Sequence, residues 1–232
     1  MKSLVFDTSS VVTIVTNDLL WVLKSLKEKF NGEFYIPTSV KYELVDKPLK
    51  TKLFKLEAIM VDKAILDGEL IVHEPLNVDD LLIHTNAIFS VNGKPLHILD
   101  RGEIEALALV LRLQADAYVV DERTMRLLIE DPFGLKSLLE RKLHMKVDMN
   151  SKLVKEFQDI VKGVKVIRSV DLLTVAFEKG LLNKFVTWGA VAGSVMLLLM
   201  YLAVMPPENN PIIDDHLVYI LVLALFALRS KE

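Results

Sequence analysis

The sequence predicts an α/β protein: a doubly wound parallel sheet flanked by helices, followed by one or two apolar helices long enough to enter a membrane. Short apolar runs bounded by turn or capping residues alternate with longer stretches of helical period, the pattern of strands covered by helices. Charged residues make up 25% of the 232-residue chain, yet 52% is hydrophobic and the mean hydropathy is +0.36, so the apolar excess must be concentrated. It lies at the C-terminal end. Several apolar runs are followed directly by an acid, where a parallel sheet places its ligand site.

Residues 3–6 read as the first strand. The stretch 1–17 fails as a signal peptide because Asp7 and the hydroxyls of Thr8, Ser9 and Ser10 interrupt it, and it reads as a buried strand instead. A helix follows over 19–30. Residues 33–36 form the second strand, entered through Asn31-Gly32 and closed by Pro37, and a long helix starts at Ser39 with a break at Pro48. Strands over 70–73 and 117–120 enclose a helix at 101–113. Residues 131–163 look like a helical insertion carrying two charged helices between 135 and 162, before a fifth strand at 164–168. The last helix of this domain, residues 1–181, is capped by Asp171 and ends near Gly180.

Residues 186–205 carry no charge over about twenty positions, the length that crosses roughly 30 Å of hydrocarbon. A second apolar run, 217–228, reaches only about 18 Å as a helix and completes a hairpin within 184–229 if Pro211 to Ile213 extend it to about 211–228 and Arg229 snorkels. Lys179 and Lys184 precede the hairpin, and Arg229 and Lys231 follow it. The turn carries Glu208, Asp214 and Asp215, so the positive-inside rule puts both ends, and the large domain, on the cytoplasmic side of a cell membrane. Gly189 and Gly193 form a small-residue face that admits another helix, either the second span or a second copy of the chain.

No cysteine is present, which excludes disulfides, thiolate metal sites and cysteine nucleophiles. The net charge of −3 gives no general attraction to nucleic acid. A polyanion would have to meet local clusters such as Lys47, Lys50, Lys52 and Lys55, or Lys136, Arg141, Lys142 and Lys146, although such runs are more often solvated helix faces. Five scattered histidines lack metal-ligand spacing, and Asn92-Gly93 signals a turn rather than a phosphate loop.

Asp7 ends the first strand and Asp121 the fourth. Glu43 lies about one turn inside the helix after the second strand, near the same edge. The helix over 101–113 offers Glu103 and Glu105, about 200° apart on the wheel, so at most one can join a cluster. Ile104, Ala106, Leu107 and Val110 flank Glu103, whereas Glu105 falls beside Arg112; Glu103 is therefore read as the acid on the buried side, with Leu109 spoiling the pattern. Asp100, one turn earlier, can assist. Crowded carboxylates need a neutralising cation, and Mg²⁺ or Mn²⁺ suits all-oxygen ligands and in-line phosphodiester hydrolysis. Singly, each of these acids is more simply a helix cap or an answer to the macrodipole.

The motifs Phe6-Asp7-Thr8-Ser9, Pro37-Thr38-Ser39-Val40 leading to Glu43-Leu44, Leu99-Asp100-Arg101-Gly102-Glu103-Ile104-Glu105-Ala106, and Val120-Asp121-Glu122-Arg123 resemble, in order and spacing, those of the PIN-domain nucleases, especially the ribosome-assembly endonuclease branch and related archaeal proteins. The resemblance covers residues 1 to about 181. It implies a PIN-like doubly wound sheet and a Mg²⁺- or Mn²⁺-dependent ribonuclease acting on RNA. In it Asp7, Glu43, Glu103 and Asp121 hold metal, and Ser9 supports Asp7 by hydrogen bonding. Glu stands where the family more often has Asp in the third motif, which leaves the register of Glu103 against Glu105 open. Membrane lipid is the expected partner of the tail, and a homodimer could form through the PIN-like domain or the Gly189/Gly193 face. The alternative is a non-catalytic adaptor or regulatory subunit that recruits RNA or protein to the membrane.

Overall fold

The structure, a computed structural model, describes residues 2–183. Contacts divide the chain into two units, Met1–Ser169 and Val170–Glu232. The expected membrane segments, 186–205 and 211–228, and the Gly189/Gly193 face lie outside the described residues. Among the described residues no helix is long and apolar enough to cross a membrane.

In chain order the first unit runs β1 (Lys2–Phe6), α1 (Thr8–Thr16), α2 (Val22–Phe30), β2 (Gly32–Pro37) and α3 (Thr38–Lys41), then a π-helical turn (Tyr42–Asp46), α4 (Lys47–Leu49), α5 (Lys55–Leu66) and β3 (Ile71–His73). It continues through α6 (Asp79–Asn86), β4 (Phe89–Val91), β5 (Lys94–Pro95), α7 (Arg101–Leu113), β6 (Ala117–Val119), α8 (Arg123–Glu130) and α9 (Pro132–Leu143). It ends with β7 (Asp148–Met149), α10 (Ser151–Ile160) and β8 (Val166–Ile167), and α11 (Ser169–Glu178) follows.

Five strands form one parallel sheet in the order β3-β2-β1-β6-β8, with Val5 paired to Tyr35 on one side and to Tyr118 on the other. β1 is buried from its second residue to its last, as expected of a parallel strand covered on both faces. Phe6 stacks at a tilt on Phe34, with ring centroids 5.2 Å apart. The chain builds β2 and β3 on one side of β1 and later β6 and β8 on the other. The order therefore reverses between β1 and β6, where an open α/β sheet forms its ligand crevice.

Four expectations are corrected. Only Lys2–Phe6 of the stretch 1–17 is strand, because Asp7 turns the chain into α1, whose Ser10, Val11, Ile14 and Val15 are buried. Pro48 does not break its helix. The chain stays helical from residue 38 to residue 49, with Pro48 just after the π-helical turn, and the break falls at residues 50–54. Helix α11 starts at Ser169, leaving Asp171 in its first turn rather than at its cap. The insertion 131–163 is not wholly helical: β7 pairs antiparallel with β4, and β4 with β5, in a second sheet of three strands. The β4–β5 turn is Asn92-Gly93, with φ of 51° and 76°, a hairpin geometry that Asn and Gly tolerate best.

Candidate acidic site at the ends of the central strands

Asp7 follows β1 directly, and its N–H donates to the Val119 carbonyl (3.0 Å), carrying the pairing with β6 one residue further. Its side chain then caps α1: Oδ2 accepts from the Ser9 N–H (3.1 Å) and the Ser9 hydroxyl (2.7 Å). The residue is 1% exposed, and Oδ1 is buried without a hydrogen-bond partner. Burial pushes the Asp7 carboxyl above its ordinary range, against the pull of its Ser9 and Thr8 donors, and the charge of Glu43 adds to the rise.

Ser9 does more than hold Asp7. Its Oγ also accepts from the backbone N–H groups of Asp121 (3.0 Å) and Glu122 (3.1 Å), so one hydroxyl joins the start of α1 to the loop after β6.

Glu43 lies in the π-helical turn, where one extra residue per turn re-aims side chains, a feature frequent at functional sites. Thr8 Oγ1 donates to Glu43 Oε2 at 2.6 Å, tying it to the residue after Asp7. Its other oxygen lies against the first turn of α7, where a Cβ on Gly102 would stand 2.9 Å from Oε1. Glycine at 102 thus leaves the space that Glu43 occupies. The helix N-terminus favours the negative charge placed there.

Glu103 completes the group from α7. Its Oε2 accepts from the Asp100 N–H (2.7 Å) in a capping-box arrangement. Burial pushes its carboxyl up to about 8; the Asp100 N–H opposes this, and the charges of Asp7, Glu122 and Asp100 reinforce it. Tyr118, fully buried beneath, donates its hydroxyl to the Glu103 carbonyl (3.3 Å), and its phenol is pushed well up by burial and by Asp7, Glu103 and Glu122. Among the described residues, the charges that shift Asp7 and Glu103 come from other acids.

The helical-wheel reading of α7 is overturned. Glu105 is the more deeply buried acid, 3% exposed, because the helix is packed on most of its circumference; Gly102, Ile104, Ala106, Leu107, Leu109 and Val110 are all buried too. Leu109, which spoiled the wheel, lies one turn from Glu105 on the same side. The Glu105 carboxylate accepts from Ser39 N–H (3.1 Å) and Leu76 N–H (2.9 Å), pinning α7 to the start of α3 and to the loop after β3. Two backbone donors compensate its burial and commit it to holding the fold.

Asp121 is turned to the other edge of the loop. Oδ1 accepts from the Ser169 N–H (2.8 Å) and Oδ2 from the Ser169 hydroxyl (2.6 Å), so both oxygens are engaged. Its neighbour Glu122 is the acid whose charge reaches Glu103 and Tyr118, while its own carboxylate caps α8 by accepting from Met125 N–H (2.7 Å). Sequence reasoning quoted Glu122 without giving it a part; successive residues of extended chain face opposite ways, which was the available signal. Asp100 stays exposed and pairs with His97 (2.8 Å).

Asp7, Glu43 and Glu103 are thus drawn to one end of β1, with Glu122 beside them. Among the described residues no group of three or more His, Cys, Asp or Glu side chains is arranged to hold a metal ion as it stands. Even so, a divalent ion suits the donors present. They are all oxygens, two of the acids are held above their ordinary range by burial and by the charges of other acids, and among the described residues Asp7 keeps one buried oxygen unused. A recess of about 770 Å³, lined by Lys2, Lys24, Lys27 and Glu69, opens at the opposite, N-terminal ends of β1, β2 and β3, away from these acids. No protein-family model, curated protein or solved structure matches the chain.

Proposed function

We propose that this chain is a Mg²⁺- or Mn²⁺-dependent endoribonuclease of PIN-like fold, tethered by its C-terminal segment to the cytoplasmic face of a membrane. The observation that carries the reading is the buried Asp7 oxygen without a donor among the described residues, at the sheet's switch point, in a group of acids whose charges raise the pKa values of Asp7 and Glu103. Asp7, Glu43 and Glu103 would hold the ion, with Glu122 or a free lone pair of Asp121 completing its shell. When bound, such an ion lowers the pKa of a coordinated water and offsets charge on a phosphoryl oxygen.

The chain's own residues prepare that site. Ser9 fixes the Asp7 carboxylate and the loop after β6 in one hydrogen-bond system, so the two strand ends keep their spacing. Thr8 and the open space at Gly102 orient Glu43. Glu103, at about 8, carries a proton at neutral pH in the metal-free chain, which limits repulsion within the group until a cation arrives.

The test is cleavage of labelled single-stranded and structured RNAs by the purified full chain, with Mn²⁺, with Mg²⁺ and with EDTA. We expect divalent-dependent cutting that Asp7→Asn abolishes with the fold intact, since asparagine caps α1 nearly as well as aspartate. Divalent-independent cutting, or none on any RNA, overturns the proposal. The absence of a ready three-acid group favours a second reading, a PIN-like adaptor that does not cut. A calorimetric titration in which Mn²⁺ fails to bind would select it.

A further inference from the structure

Between α1, the π-helical turn and α5 lies a cavity of about 130 Å³, walled by Val12, Leu44, Val61 and Phe54 and bordered by Thr8 and Glu43. We propose that it receives an unpaired base of single-stranded RNA, which stacks on Phe54 while the lysines of residues 47–55 hold the flanking phosphates. The inference rests on RNA being the substrate and names the form in which it binds.

Size comes first. An apolar protein cavity of about 150 Å³ takes up benzene, so this somewhat smaller one, open at its mouth, has room for no more than one flat ring, which favours a pyrimidine over a purine. Position comes next. Glu43 belongs both to the cavity rim and to the acidic group, and Thr8, which donates to it, borders the cavity as well. A base seated here sets the adjoining phosphodiester beside the acids.

Phe54 is the third observation. The residue is 62% exposed although it borders the cavity, and its backbone has φ of +60°, where a bulky side chain is disfavoured. The conformation is held by the Ala58 N–H donating to the Phe54 carbonyl (3.0 Å). A strained aromatic side chain standing half in water at a cavity mouth has more to gain from a stacking partner than from the fold.

Charge selects the occupant. Lys47 and Lys55 adjoin the cavity-lining Pro48 and Phe54 in the chain; with Lys50 and Lys52 they are exposed, and among the described residues none of the four is in an ion pair. Lys50 instead stands 5.8 Å from the ring of Tyr42, which is 50% exposed. Lysines interleaved with exposed aromatic rings fit a phosphate backbone carrying unstacked bases. A second copy of the chain, covering the exposed Leu56, Ile59 and Leu66 of α5, is the competing occupant.

The experiment is fluorescence anisotropy of a 5′-labelled oligonucleotide of twelve pyrimidine ribonucleotides against the full chain in detergent, with EDTA throughout so that no cleavage intervenes. Phe54→Gly is expected to weaken binding about tenfold or more while leaving Tm unchanged or higher, because glycine accepts the positive φ freely. Lys52→Gln with Lys55→Gln should flatten the slope of log K against log salt by about 0.7 for each lysine removed. Wild-type affinity in Phe54→Gly overturns the proposal, as does a fall in particle mass in that variant with RNA binding kept, which assigns the surface to a second copy. Should Phe54→Gly unfold the chain, the lysine variants decide, and an unchanged salt slope overturns it. Binding that depends on Phe54 without cleavage in Mn²⁺ sustains this inference and removes the nuclease reading instead.

Discussion

Replacing Glu103 by Gln tests the electrostatics of the acidic group with no substrate at all. In the folded chain its carboxyl is pushed from 4.5 to about 8. Between those values the folded chain keeps a proton that the unfolded chain has released, so this group's stabilising share is complete below pH 4.5 and is lost as pH rises towards 8. At 1.36 kcal/mol per pH unit, the interval corresponds to about 5 kcal/mol at most. Part of the side chain is still solvated, and screening leaves about 2 kcal/mol. Glutamine keeps the acceptor for the Asp100 N–H, since the capping box admits either residue. The variant should therefore unfold with the wild type at pH 5 and about 4–8 °C above it at pH 9, in EDTA, measured by thermal denaturation of the full chain. Excess Mn²⁺ should close the gap at pH 9 by stabilising the wild type alone. A gap of equal size at pH 5 and pH 9, or none at either, would refute the account of why these acids are shifted.

Two other substitutions separate architecture from chemistry. Glu105→Ala strands the N–H groups of Ser39 and Leu76 in a buried setting and should cost about 3 kcal/mol, read as a lower denaturant midpoint. Gly102→Ala should barely change Tm, because the Glu43 side chain can swing aside, yet it should weaken Mn²⁺ binding in calorimetry by displacing that carboxylate.

The central sheet was open to inspection in the sequence. β1, β2, β3, β6 and β8 coincide with the five apolar runs, and α7 with residues 101–113, because strands covered on both faces must be apolar throughout and long helices show their period. Helix α1 was hidden by its own composition. Val11, Val12, Ile14 and Val15 favour extended chain, and it is the Asp7 cap and burial against the sheet that make them helical. Strands β4, β5 and β7 have two or three residues each, too few to show alternation, so only the Asn92-Gly93 turn announced them. At the site, strand ends could be read from local pattern. The orientation of Glu105 and Asp121 could not, since it depends on donors from Ser39, Leu76 and Ser169 that arrive from distant segments.

The central position of β1 also bears on how the chain matures. Its partner on one side, β6, follows more than a hundred residues later; Ser3 N–H bonds Asp116 Oδ2 across a separation of 113 residues. During synthesis one edge of this central strand must therefore wait without its neighbour until most of the domain has left the ribosome. Such an edge invites pairing with other nascent chains, and slow closure of the sheet would leave assembly of the domain dependent on chaperones or on low local chain concentration.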